Sequence, residues 1–227
     1  ALADRSDDTV VYLGRPCQYR RPGRHGGYGE SAGSDGSDRH DVDDTEACRP
    51  LLWTAARHGE EVVGATSARL DALLESIGRE PKLALVGYSG GGVVAALVAA
   101  RRGDVARLVT IAAPLDRDAW TRATRTSPLV LSLSPLDHRT ALRRVAQDHF
   151  AGEEDERVPV AVVESYQRAL GSRAPSRLHR IPGVGHDGWP ERWPALRAAL
   201  EPLCAARPTS GLPGADSEGP LDGDDRP

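Results

Sequence analysis

The chain has 227 residues and a formal net charge of -4, with 39% hydrophobic and 27% charged residues. That balance is too apolar for wholesale disorder, and with no block of basic residues it gives no electrostatic case for nucleic acid, so a small molecule is the expected partner. The longest apolar run, Val93 to Ala100, ends at Arg101 and Arg102 and falls well short of the ~18 to 20 residues of a membrane span.

The length suits one core-forming domain, expected over residues 1–206. Methionine is absent and the chain opens on "ALADRSDDTVVYLG", which reads as the middle of a longer protein, with no signal peptide in view. "TVVYLG", 9–14, is β-branched and aromatic and ends at a glycine, so it reads as a buried strand. The stretch 20–44 is dense in Gly, Ser and Asp and reads as a flexible surface loop. Within it "RHGGYG", 24–29, imitates an oxyanion-forming H-G-G loop, but no strand leads directly into it. Asp35 to Glu46 imitates a calcium loop, yet Arg39 and His40 stand where a ligand and the obligatory glycine belong, so it is rejected. Cys17, Cys48 and Cys204 have no zinc-like spacing; a Cys17 to Cys48 bridge and reduced thiols are both open on the residues alone.

From residue 60 onward the pattern becomes regular. Val62, Val63, Leu70, Leu73, Leu74 and Ile77 share one face of a helix over 60–77. A strand "LALVGY" at 83–88, a helix from Gly91 to Arg102 and a strand at 107–113 follow, then a mixed segment around "DAWTRAT". The alternation resumes with a strand-bearing segment at 141–152, a helix at 159–171, a strand at 177–183 and a helix at 191–204. Alternating strands and helices predict a mostly parallel sheet with helices on both faces, an α/β fold. The Pro-, Gly- and Asp-rich tail from 207 cannot bury enough apolar surface to order itself.

"GYSGG", Gly87, Tyr88, Ser89, Gly90 and Gly91, is a G-x-S-x-G nucleophile elbow flanked by the strand and helix that the motif requires. Such a turn is too tight for side chains nearby, and its glycines are expected to provide clearance while it lifts the serine hydroxyl above the sheet. The helix N-terminus offers backbone N–H groups to a developing oxyanion, with Gly90 N–H the first expected donor. "GGGVVA", 90–95, also fits a dinucleotide-binding glycine pattern, with Asp116 as its acid, but that pattern alone is weak. Only the elbow reading demands a later acid and histidine. Asp155 stands in the loop "GEEDERVP" and His186 in "GVGHDGW", in the order nucleophile, acid, base. Asp116 is the alternative acid; Glu153, Glu154 and Glu156 read as solvated. Trp120, Trp189 and Trp193 are assigned to packing rather than to an acyl pocket. This chemistry requires neither a metal nor an organic cofactor.

The segments "YLGRPCQY", "LLWTAARHGEEVV", "LVGYSGGG", "LVTIAAPLDRDAW", "DHFAGEEDERVP" and "GVGHDGW" together resemble a family of bacterial α/β-hydrolases, from Thr9 to Leu203. The resemblance implies an α/β-hydrolase fold and a serine hydrolase acting on a carboxylic ester, thioester or amide, with Ser89 as nucleophile, Asp155 as acid and His186 as base. It also implies an exported or lipid-anchored protein and favours a Cys17 to Cys48 disulfide. Members begin with further strands, one ending in a "G-D-G"-like turn that supplies half of the oxyanion hole. Their lack here leads to the expectation of a truncated sheet, in which the first strand either leaves a gap or moves over to pair with the elbow strand. A catalytically weak ligand- or partner-binding module is the alternative reading.

Overall fold

A computed structural model of the chain describes residues 10–15, 49–78 and 81–198. Both glycine- and aspartate-rich segments, 20–44 and 207–227, lie outside these residues, as do Cys17, Cys48, Cys204 and the "RHGGYG" stretch.

Four strands form one parallel sheet in the order β1 (Leu83–Tyr88), β2 (Val105–Ile111), β3 (Ala146–Gly152) and β4 (Ser176–Ile181). Each crossover carries helical structure: α2 (Gly90–Ala99) joins β1 to β2, α3 (Arg117–Thr124) and the short α4 (Arg139–Leu142) join β2 to β3, and α5 (Val160–Leu170) joins β3 to β4. Helix α1 (Glu60–Ile77) precedes the sheet and α6 (Trp193–Ala198) follows it.

Alternation along each strand sorts the side chains into two layers. Leu108 on β2 faces a core shared with Ala96 and Ala99 of α2 and Tyr166 and Leu170 of α5. Val109 and Ile111, one residue out of phase, meet Phe150, Val184, Trp189 and residues Trp193 and Leu196 of α6 on the other face. Helix α1 lies outside α2, with Val62, Val63 and Leu70 against Val93, Val94, Leu97 and Val98. Helix α2 is therefore covered on two sides, which is why its sequence is apolar all round rather than striped.

Helix α1 starts with Glu60 and Glu61 in its first turn, where carboxylates favour the helix dipole, and stops at Gly78 in the left-handed conformation. Segment 117–124, mixed on sequence, is helical because Asp116 caps it, its side chain accepting from Ala119 N–H at 2.9 Å.

One expectation fails. Residues 10–14 are not a buried strand: they form no ladder, and Tyr12 is 77% exposed. A short apolar run identifies a strand only when a partner edge is there to hydrogen-bond with it, and the segment instead bonds to residues in and just before helix α1. Arg15 Nη1 donates to Arg57 O at 3.4 Å and Arg69 Nη1 to Gly14 O at 3.5 Å. Among the described residues there is neither a gap within the sheet nor a first strand paired with the elbow strand. Among the described residues β1, the elbow strand, is the sheet edge, and Val86 and Tyr88 on its α6 side are 37% and 43% exposed.

Candidate active site

The end of β1 turns into α2 within a single residue. Ser89 holds φ 50° and ψ -125°, a conformation costing on the order of 1–3 kcal/mol for a residue with a side chain. Close approach of strand and helix makes the turn possible. A Cβ on Gly87 would lie 2.5 Å from Gly91 O, and one on Gly92 would lie 2.5 Å from Ala113 Cβ. A Cβ on Gly91 would meet open space, so the clearance expected of the elbow glycines comes from Gly87 and Gly92. Gly90 N–H, at the first position of α2, has no acceptor within its helix.

The acid and the histidine reach the elbow from the ends of β3 and β4. Those two loops are joined by backbone: Glu153 N–H donates to Ile181 O and Glu154 N–H to Val184 O, both at 3.1 Å. A Cβ at Gly152 would stand 2.1 Å from Val184 O, so no other residue permits this approach. As a result His186 Nε2 lies 3.1 Å from Ser89 Oγ, and His186 Nδ1 lies 2.8 Å from Asp155 Oδ2.

Asp155 uses its two oxygens differently. Oδ1 accepts from Arg157 N–H at 2.9 Å and Val158 N–H at 2.8 Å, closing the turn before α5, while Oδ2 holds the imidazole. Its side chain is fully buried, where a bond to an ionised carboxylate is stronger than the same bond in water. Asp116, the alternative acid, has both oxygens engaged elsewhere, one on Ala119 N–H and one accepting from Ser165 Oγ at 2.6 Å. Glu153, Glu154 and Glu156 are exposed.

Tyr88, assigned on sequence only to the elbow, has a second role. Its hydroxyl donates to His186 O at 2.8 Å and its ring lies 5.3 Å from the imidazole, tilted by 41°. Burial, with Asp187 nearby, pushes its pKa up, so the phenol stays protonated as a donor. The x position of G-x-S-x-G is unrestricted in the motif, so the pattern carries no signal for this contact. Of the tryptophans, Trp189 is buried beside Val184 in the α6-side core, with Trp193 packed against it. Trp120 instead donates from Nε1 to Arg157 O at 2.7 Å, tying α3 to the Asp155 loop.

His58 is a residue for which the sequence gives no motif. It lies two residues before α1, is 4% exposed, and directs Nε2 at Gly90: a Cβ there would be 3.0 Å from that nitrogen. Burial, with Arg57 and Arg15 adding repulsion, depresses its pKa to about 3, so the ring is neutral.

No protein-family model and no curated protein matches the sequence. Solved structures do match. A mutant puromycin hydrolase complexed with PGG superposes with a TM-score of 0.54 at 22% identity, covering 65% of this chain and 25% of that one. An esterase from Pyrococcus furiosus superposes with a TM-score of 0.51 at 15% identity, covering 64% of this chain and 63% of that one. The chain thus spans about a quarter of the first and less than two thirds of the second. With its parallel sheet and flanking helices, it has the α/β-hydrolase fold.

Proposed function

We propose that the protein is a serine hydrolase that cleaves a carboxylic ester, or a thioester or amide, through an acyl-enzyme. The observation that carries this reading is the unbroken relay Ser89 Oγ, His186 Nε2, His186 Nδ1, Asp155 Oδ2, with separations of 3.1 and 2.8 Å. An unactivated serine is a poor nucleophile, and a neutral imidazole at hydrogen-bond distance can take its proton as the new bond forms.

In this mechanism Asp155 fixes the tautomer with the proton on Nδ1, leaving the Nε2 lone pair towards Ser89. Oγ attacks the substrate carbonyl carbon while its proton passes to Nε2, and the carbonyl π electrons move onto oxygen. Gly90 N–H receives that oxyanion, aided by the positive end of α2. Collapse of the tetrahedral intermediate expels the alcohol, which takes the proton from Nε2. Water then repeats the sequence on the acyl-enzyme, releasing the acid and restoring Ser89. Asp155 remains ionised throughout and stabilises the imidazolium that forms in each half.

The exposed elbow edge of β1 supports a second reading, a binding module of the same fold with weak chemistry. Hydrolysis of p-nitrophenyl acetate by the purified chain, lost in Ser89→Ala, decides for the enzyme. Turnover that survives Ser89→Ala, or no turnover above buffer, decides against it.

A further inference from the structure

Gly90 poses a question that the turn does not answer. It sits in the first turn of α2 with no positive φ, so its backbone has no need of glycine. What a side chain there would meet is the His58 imidazole, which would have to give by a few tenths of an ångström. The glycine makes room for the histidine.

His58 is held as a preorganised group would be. Its backbone N–H donates to Ser132 Oγ at 3.2 Å, and its carbonyl accepts from Leu133 N–H at 3.0 Å. Ser132 is anchored in turn, its hydroxyl donating to Ala55 O at 2.8 Å and its carbonyl accepting from Arg117 Nη1 at 2.6 Å. The residue is therefore fastened on both sides of its Cα, yet among the described residues its buried Nε2 has no hydrogen-bond partner. A buried polar nitrogen without a partner carries a desolvation penalty that native structures rarely retain without a reason.

The missing partner fits the geometry of the reaction. In any amino acid the backbone nitrogen and Cβ stand ~2.5 Å apart. With Nε2 at 3.0 Å from that Cβ position, it lies no more than about 5.5 Å from Gly90 N. Two N–H donors can share one oxygen at ~2.9 Å from each when they are closer than ~5.8 Å. The separation of Nε2 from Gly90 N therefore lies within the span that one shared oxygen can bridge.

We propose that His58 is a catalytic residue, its Nε2–H being the side-chain donor that completes, with Gly90 N–H, the oxyanion hole of the Ser89 centre. This rests on the serine-hydrolase reading above. A neutral imidazole suits that role, because it offers one N–H to a developing negative charge without presenting a cation to the neutral ester.

Two measurements test it on the full chain. A long-range proton–nitrogen spectrum of the wild-type protein at pH 7 reads the His58 tautomer without reference to turnover. Hydrogen on Nε2 is expected; hydrogen on Nδ1 alone overturns the proposal. Steady-state hydrolysis of p-nitrophenyl acetate is then compared for His58→Phe, which keeps an aromatic ring without a donor, and His58→Gln, which restores an N–H. His58→Phe is expected to lower kcat about 10²- to 10³-fold with KM within about threefold, and His58→Gln to recover at least tenfold of that loss. Wild-type kcat in a folded His58→Phe overturns the donor role while leaving the serine-hydrolase reading intact. A wild-type chain with no turnover at all overturns both.

Discussion

Asp155→Asn separates the chemistry of the acid from its structural work. In the wild type Oδ1 closes the turn through Arg157 and Val158 N–H, and Oδ2 faces His186 Nδ1. Asparagine retains one acceptor oxygen, and the two backbone donors dictate where it goes. The amide nitrogen must then face His186, where it donates to Nδ1 and forces the ring proton onto Nε2. That proton points at Ser89 Oγ, and the ring can no longer act as base. The expected fall in kcat is about 10⁴-fold, the scale found when a triad aspartate is made an amide in serine proteases. Because the turn is kept, unfolding in urea should shift by less than about 1.5 kcal/mol, one ordinary hydrogen bond. Asp155→Ala leaves both backbone donors unpaired, each costing about 1–3 kcal/mol, and should lose about 2–6 kcal/mol of stability as well as activity. The assay is p-nitrophenyl acetate hydrolysis beside urea denaturation of the same samples. An Asp155→Asn protein turning over within tenfold of wild type would refute the assignment of His186 as a base oriented by Asp155.

Asp148→Ala should destabilise the fold by about 3–5 kcal/mol in urea, because it removes a buried carboxylate that accepts from Arg107 Nη2 at 2.8 Å and Nε at 3.1 Å through Oδ2 and lies 2.8 Å from His179 Nε2 through Oδ1. A shift below about 1 kcal/mol would mean that water reaches this network. Acid should unfold the protein early. Burial depresses His58 and His149 to about 3 against 6.5 in the unfolded chain, so the stability from keeping them neutral is complete above pH 6.5 and drains away as pH falls toward 3. At pH 5, about 1.5 units below the unfolded value, each histidine costs about 2 kcal/mol. Because His149 is retained, His58→Phe should lose about half as much stability between pH 7 and 5 in urea as the wild type does; parallel curves would contradict the share given to His58.

The sequence made the site more legible than its surroundings. Ser89 was readable because a tight strand-to-helix turn restricts which residues can stand near it, and Asp155 and His186 because chain order and strand ends restrict where partners can be. The helix over 60–77 and the strand at 83–88 were readable from period and punctuation, and the structure has both over those same residues. Segment 10–14 misled because apolar, β-branched composition reports burial in general, whereas a strand also needs an edge to pair with. The helix at 117–124 was obscured by its polar composition and depends on the Asp116 cap. His58 left no trace in sequence, since what singles it out is an unpartnered atom beside Gly90 and the Ser132 segment, 74 residues away, that fastens its backbone.

In the proposed mechanism the Ser89 hydroxyl is activated by His186, 3.1 Å away. Intact-mass and peptide mapping after exposure to a fluorophosphonate tests it directly. One phosphonyl adduct per chain is expected, located on Ser89, absent in Ser89→Ala and formed at least 100-fold more slowly in His186→Ala. No adduct while a known serine esterase in the same tube is fully labelled, or equal labelling with and without His186, would contradict it.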